Sequence, residues 1–334
     1  MTISGEAPLA SKASPDQRNA ILGAMRAVTE AGDASATDTD RHALASANLY
    51  LFRQPEPLDI AALPATPPDR LAAALAGSGL TEEAVKYLTV MAFVSGKLDR
   101  RKIDAVLRYA EALGIHERYL DEITEAAQGR LQEALADMAC CNMESITERP
   151  WPVDGNVNAW LLPYQGSAAD PDLVKRFTAL QTLGQGTFGH AFWFHFTRNG
   201  YAFPGDPQGL NASFSVPHDS THVLTGYDTH PRGELLVSTF TAGMHRRYPM
   251  AGHVLPVIFS WHLNEQINPV ARDAAGGLDP DEFWHAWTAG EASPVDTFAP
   301  TWDFWSQVDR PLADVRADLG IPATGLDAMG TPTR

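Results

Sequence analysis

The chain is poor in cysteine, in positive charge and in long apolar runs. Only two of its 334 residues are cysteine, Cys140 and Cys141. Neighbouring cysteines bridge badly because their side chains diverge, and the pair lacks the spacing of a zinc knuckle. A disulfide framework is therefore not expected, and the pair reads as part-buried thiols of a reducing compartment. Lys and Arg number 25 against 41 Asp and Glu, which gives a formal net charge of −16 and a pI near 5.0. Such a field repels nucleic acid and anionic headgroups, so nucleic acid is not expected as a partner. The longest strongly apolar stretch, YLTVMAFV at 87–94, falls far short of the ~20 residues of a membrane span. The opening MTISGEAPLASKASPDQ has no signal-peptide layout. These absences leave a cytoplasmic protein, with peripheral membrane contact open.

Hydrophobic residues make up 44% of the chain and charged residues 20%, a composition that supports a buried core and one large or two ordinary domains. Ser14-Pro15-Asp16-Gln17 has the form of a capping box with proline at the first helical position. The following residues carry Ile21, Leu22, Met25 and Val28 on one helical face. Five prolines in 54–68 predict an extended connector. Residues 81–130 read as helices throughout. The first is apolar nearly all round to Val94, a tight turn follows at 95–99, and the next is stopped by Gly114. A further helix is expected from near His116 past Leu131 towards Met138. Residues 146–172 lack a steady period and hold four prolines and two glycines, which places a domain boundary there.

The stretch LTVMAFVSGKLDRRKIDAVLRYAEALGIHERYLDEI (88–123) resembles the tellurite-resistance TerB-like helical domain. That resemblance implies a helical bundle over 69–145, behind an N-terminal segment and connector at 1–68. The TerB-like pattern has one acid just before the turn glycine and another several residues later. Ser95 and Lys102 stand at those places here, and without the carboxylates a hard cation loses its ligands. Packing or partner docking is the role this leaves for the block.

Chemistry-bearing residues concentrate further on. Nine of the eleven histidines lie between His190 and His285. In HDSTHVLTGYDTHPRGE (218–234), His218 and His222 are four apart, one turn along one helix face. Pro217 fits a helix that starts there. Asp219, ~100° round the axis from His218, can bend in as a ligand or accept a hydrogen bond from one. On a straight helix Glu234 would lie roughly 18 Å from His222. Gly226, Pro231 and Gly233 break that helix, and a second helix from Glu234 can fold back antiparallel. His218, Asp219, His222 and Glu234 are thus candidate ligands for one divalent ion: zinc first, iron(II) or manganese(II) as alternatives.

The same segment has the layout H-D-x-x-H, eleven residues, then E, and resembles the coenzyme Q biosynthesis protein 4 family. LGQGTFGHAFWFHFTRNGY (183–201) and FWSQVDRPLADVRADLGIP (304–322) extend the resemblance over about 172–322. It implies a mainly α protein: a TerB-like bundle, a linker at 146–171, and a helical metal-binding domain at 172–325. It also implies a metal-dependent role in ubiquinone-type biosynthesis, in ring decarboxylation or hydroxylation of a prenylated aromatic acid. Asp219 would be its proton carrier. Partners implied are that lipid-like molecule and biosynthetic enzymes docked through the N-terminal block, with a homodimer left open. Two alternatives stand beside it: a non-catalytic scaffold that holds a lipid precursor around a structural metal, and a His-Asp phosphohydrolase using His190 or His195 as a further histidine. His230 is weighed as a neighbour of the ligands, and His245 with Arg246 and Arg247 as an anion contact. The aromatics of 191–196 with Trp284, Trp287, Trp302 and Trp305 are expected mostly in the core, a subset lining an apolar tunnel.

Overall fold

The computed structural model describes residues 8–32, 36–152, 155–265, 267 and 274–327. Among them the protein is mainly helical and has no strand. Helix α1 (Pro15–Glu30) starts at the expected capping box: Ser14 Oγ accepts the Gln17 N–H, and the Gln17 side chain accepts the Ser14 N–H. A second box, Thr37 with Asp40, opens α2 (Asp38–Tyr50). The proline-rich connector stays irregular until Pro68, which takes the first position of α3 (Pro68–Leu75). Helix α4 (Thr81–Phe93) is buried from Ala84 to Phe93, and α5 (Arg100–Leu113) ends at Gly114 with φ 67°.

One helix was expected from His116 to Met138, and the fold has two: α6 (Arg118–Ala127) and α7 (Leu131–Thr147). Gly129, at φ 84°, turns the chain between them. Only glycine enters that left-handed region freely, so one residue overrides an unbroken apolar pattern. Lys102 is buried, with its Nζ 3.0 Å from Asp40 Oδ1 and 3.4 Å from Ser95 Oγ. An ammonium rather than a pair of carboxylates occupies this corner, and it pins α5 to the first turn of α2.

Beyond the linker come α8 (Val157–Leu161), α9 (Pro171–Thr178), α10 (Phe188–Asn199), α11 (Ala212–Thr225) and α12 (Pro231–Met244). A π-helical turn (Pro249–Val254) leads into α13 (Leu255–Trp261), followed by α14 (Pro280–Glu291) and α15 (Leu312–Asp318). The chain on either side of the linker shares one hydrophobic core. Tyr87 packs edge-on to Trp284 and Trp287, and Phe93 to Phe259. His262 Nε2–H donates to the Phe93 carbonyl at 3.1 Å, and its Nδ1 accepts the Leu278 N–H. Glycines bring α12 and α14 backbone to backbone: a Cβ on Gly290 would strike the Phe240 carbonyl, and one on Gly243 the Trp287 carbonyl. No helix among the described residues is long and apolar enough to cross a membrane.

Candidate metal centre

Helix α11 carries the two histidines, but it does not begin at Pro217. It begins at Asn211, whose side chain caps the Ser213 N–H, so Pro217 lies inside the helix. A proline there forgoes one intrahelical hydrogen bond, and the helix runs on because the following turn is tightly packed. Thr221, Thr225 and Ser220 are all buried, and the Thr225 hydroxyl donates back to the Thr221 carbonyl. Helix α12 likewise starts three residues before Glu234, with Pro231 at its first position. Gly233 is helical rather than a breaker. A Cβ there would collide with the Asp228 carbonyl, so the loop can close tightly only over glycine. Glu234 thereby sits in the first turn, where the helix N-terminus favours negative charge.

The fold-back expected of these two helices brings His218, His222 and Glu234 together, with one ligand atom from each within 4.8 Å of the others. His218 Nε2 lies 3.2 Å from Glu234 Oε2 and 3.3 Å from His222 Nε2, and His222 Nε2 lies 3.5 Å from Glu234 Oε2. His222 is buried, and its Nδ1–H donates to the Tyr227 carbonyl at 3.1 Å. That bond fixes the tautomer and turns the Nε2 lone pair of the neutral ring towards the cluster, the arrangement of metal-ligating histidines. Burial alone would hold the His222 pKa down, but the Glu234 charge and hydrogen bond, then Asp219, raise it to about 9. Burial pushes Glu234 up, yet the charge of His222 and hydrogen bonds from both histidines hold it well below the usual carboxylate range. Two imidazoles and one carboxylate form a donor set for one divalent ion.

Asp219, expected among the ligands, is not one of these three. Its buried Oδ1 lies 3.0 Å from His195 Nε2, across from α10. The His195 ring in turn stacks on His222, with centroids 5.4 Å apart. His195 is thus built into the site, although its sequence position says only that one polar residue interrupts an aromatic run. His190 stays outside, against Trp193.

The cluster opens on a cavity of about 620 Å³ whose wall includes His218, Asp219 and Glu234. Ile146, Leu161, Phe214, Val257 and Phe298 give it an apolar surface. Helix α7, from before the linker, contributes Ala139, Asn142, Met143 and Ile146 to the same wall. Of the aromatics weighed for a tunnel, Phe196 lines it, whereas Trp284 and Trp287 are buried in the core. His230 is exposed and lines the cavity from the position just before α12, without a capping hydrogen bond from its side chain. His245 is not a surface cation: it is buried, with Nδ1 2.7 Å from Asp296 Oδ2 and Nε2 3.3 Å from the Ser145 carbonyl. Both cysteines are free thiols, and burial raises the pKa of each, so neither is activated as a nucleophile.

No family model matches the chain, and neither the curated proteins nor the solved structures hold a match to it.

Proposed function

We propose that the protein is a metal-dependent enzyme of ubiquinone-type biosynthesis that acts on an aromatic acid bearing an apolar chain. The observation that carries the reading is the clustering of His218, His222 and Glu234 at a cavity whose wall includes His218 and Glu234 and mixes apolar with polar side chains. The residue pattern at 218–234 and its resemblance to the coenzyme Q biosynthesis protein 4 family supply the reaction class, and the TerB-like pattern supplies the finer description of the N-terminal block.

His218, His222 and Glu234 would hold one divalent ion, zinc in the first instance. Once bound, such an ion supplies positive charge that stabilises a carboxylate or phenolate oxygen as the ring reacts. Apolar side chains of the cavity would hold the chain of the substrate and exclude water from the ring. Asp219, which lines the cavity and is hydrogen-bonded to His195, would carry a proton to or from the ring carbon. The test is turnover of prenylated hydroxybenzoic acids by zinc-, iron- and manganese-loaded protein. Wild type should release carbon dioxide with a proton taking the place of the ring carboxylate, or, when iron-loaded and supplied with dioxygen as oxidant, give a hydroxylated ring product. His222→Ala should lose at least ~100-fold in rate while it keeps its helical circular dichroism. A fully active His222→Ala protein would sink the proposal.

A second reading draws on His195. A His-Asp phosphohydrolase needs a further upstream histidine, and His195 does meet Asp219. That histidine, however, is paired with the aspartate, and the third ligand is Glu234 rather than a distant aspartate. Phosphate release from a nucleotide panel by the metal-loaded protein would favour this reading over the first.

A further inference from the structure

The cavity has a second polar feature apart from the metal ligands. His253, in the π-helical turn, lines it and is buried. Its Nε2 lies 2.8 Å from Ser145 Oγ. The Ser145 hydroxyl has one proton, and it donates that proton to the Arg247 carbonyl at 2.7 Å. His253 must therefore donate Nε2–H to Ser145, which leaves Nδ1 as a bare acceptor. Nothing among the described residues donates to Nδ1, and Ser145, on the other edge of the ring, is not part of the cavity wall. Burial, then the neighbouring His245, hold the imidazole neutral.

Helix α7 holds this arrangement in place. Its Asn142 Nδ2 donates to the Gly252 carbonyl at 2.6 Å, and its Ser145 carbonyl faces His245 Nε2 at 3.3 Å. Three more cavity-lining residues, Ser215, Thr241 and Ser260, have buried hydroxyls without a partner among the described residues. π-Helical turns, moreover, gather at functional sites.

We infer that His253 Nδ1 is a ligand-binding acceptor, held by Ser145 of α7, and that the cavity selects an occupant with a phenolic hydroxyl or comparable neutral donor. The inference rests on the cavity's being the binding site and names a feature of its occupant. It does not use the metal. Helix α7 is then part of the binding site, and the N-terminal block helps to choose the ligand.

The probes are phenol and its methyl ether anisole, titrated into the full-length protein with and without zinc. Phenol should bind about tenfold more tightly than anisole, because anisole leaves the acceptor unpaired. In His253→Phe the ratio should fall to about one. In wild type, phenol should move the nitrogen-15 resonance of His253 Nδ1, a signal available even where the variant does not fold. Ser145→Ala should allow both ring tautomers and reduce the preference. A wild-type ratio near one, a ratio kept in His253→Phe, or an Nδ1 resonance unmoved by phenol would overturn the inference. Benzoic acid binding that requires zinc tests the metal reading separately: its failure would leave the phenol result standing.

Discussion

Single side chains in this protein are placed by what surrounds their polar atoms. His218 and His222 turn towards Glu234 with their other contacts settled: His218 stacks on Phe214, and His222 Nδ1 is spent on the Tyr227 carbonyl. Two carboxyls elsewhere show the opposite condition. Glu122 and Glu291 each leave one oxygen buried without a partner among the described residues. Burial, followed for Glu291 by the Glu83 charge, raises both to about 7. An acid whose pKa is raised by folding binds more protons folded than unfolded between the two values, so stability falls as pH rises from 4.5 towards 7. Glu291→Gln keeps the acceptor for the Trp287 indole N–H and removes the charge. Its melting temperature should exceed that of wild type at about pH 8 and converge with it below 4.5. A variant less stable than wild type at pH 8 would show that the carboxylate is held by a partner after all.

Helices bring these residues together, and their ends were the hardest part to read. The capping box at Ser14 and the stop at Gly114 were legible because each is a local chemical signal within a few residues. Histidines four apart predicted a shared face, and Gly226 with Pro231 predicted the fold-back to Glu234, whereas Gly233, read as a third breaker, lies inside the second helix. Pro217 misled, since a proline near a helix start and a proline tolerated inside a packed helix look alike in sequence. Gly129 was equally ambiguous within a periodic stretch. His195 was one of two histidines weighed for the site, but its pairing with Asp219 was beyond reach, because the aspartate is on another helix and only tertiary packing joins them. Arg316 belongs to the same class. From α15 its guanidinium donates to the carbonyls of Val223 and Leu224 at 2.9 Å and of Ala323 at 2.6 Å, and so satisfies the end of the helix that carries both histidines. Arg316→Ala should cost about 1–3 kcal/mol and weaken metal retention, because it strips donors from the part-buried carbonyls of Val223 and Leu224. Denaturant unfolding checks the first effect and metal analysis after dialysis the second. A loss below ~0.5 kcal/mol would mean that water replaces the arginine.

At the scale of the whole molecule, the composition shift after the linker reads as a boundary, while the packing runs across it. Ser46 Oγ donates to Asp281 at 2.5 Å, Tyr50 meets His285 edge-on, and Trp284 and Trp287 are packed against Tyr87. Polar and aromatic contacts this far apart in sequence leave no periodic trace, which is why the joint was not legible. A shared core makes for a cooperative unit, so calorimetry should give a single unfolding transition, and Trp284→Ala, which removes ~3–5 kcal/mol of packing, should lower it as a whole. Two transitions, only one of them moved by the substitution, would show that the halves fold independently. The same joint lets α7 form part of the cavity wall, so the N-terminal block bears on whatever occupies the cavity.

All of this converges on whether the three ligands hold an ion. Native mass spectrometry with metal analysis should be run on wild type and on His218→Ala/His222→Ala, both purified without added metal. One divalent ion per wild-type chain, absent from the double variant, with an aromatic or lipid mass co-purifying, is the expected result. Wild type and variant with the same metal content, or with none, would contradict a metal centre at His218, His222 and Glu234.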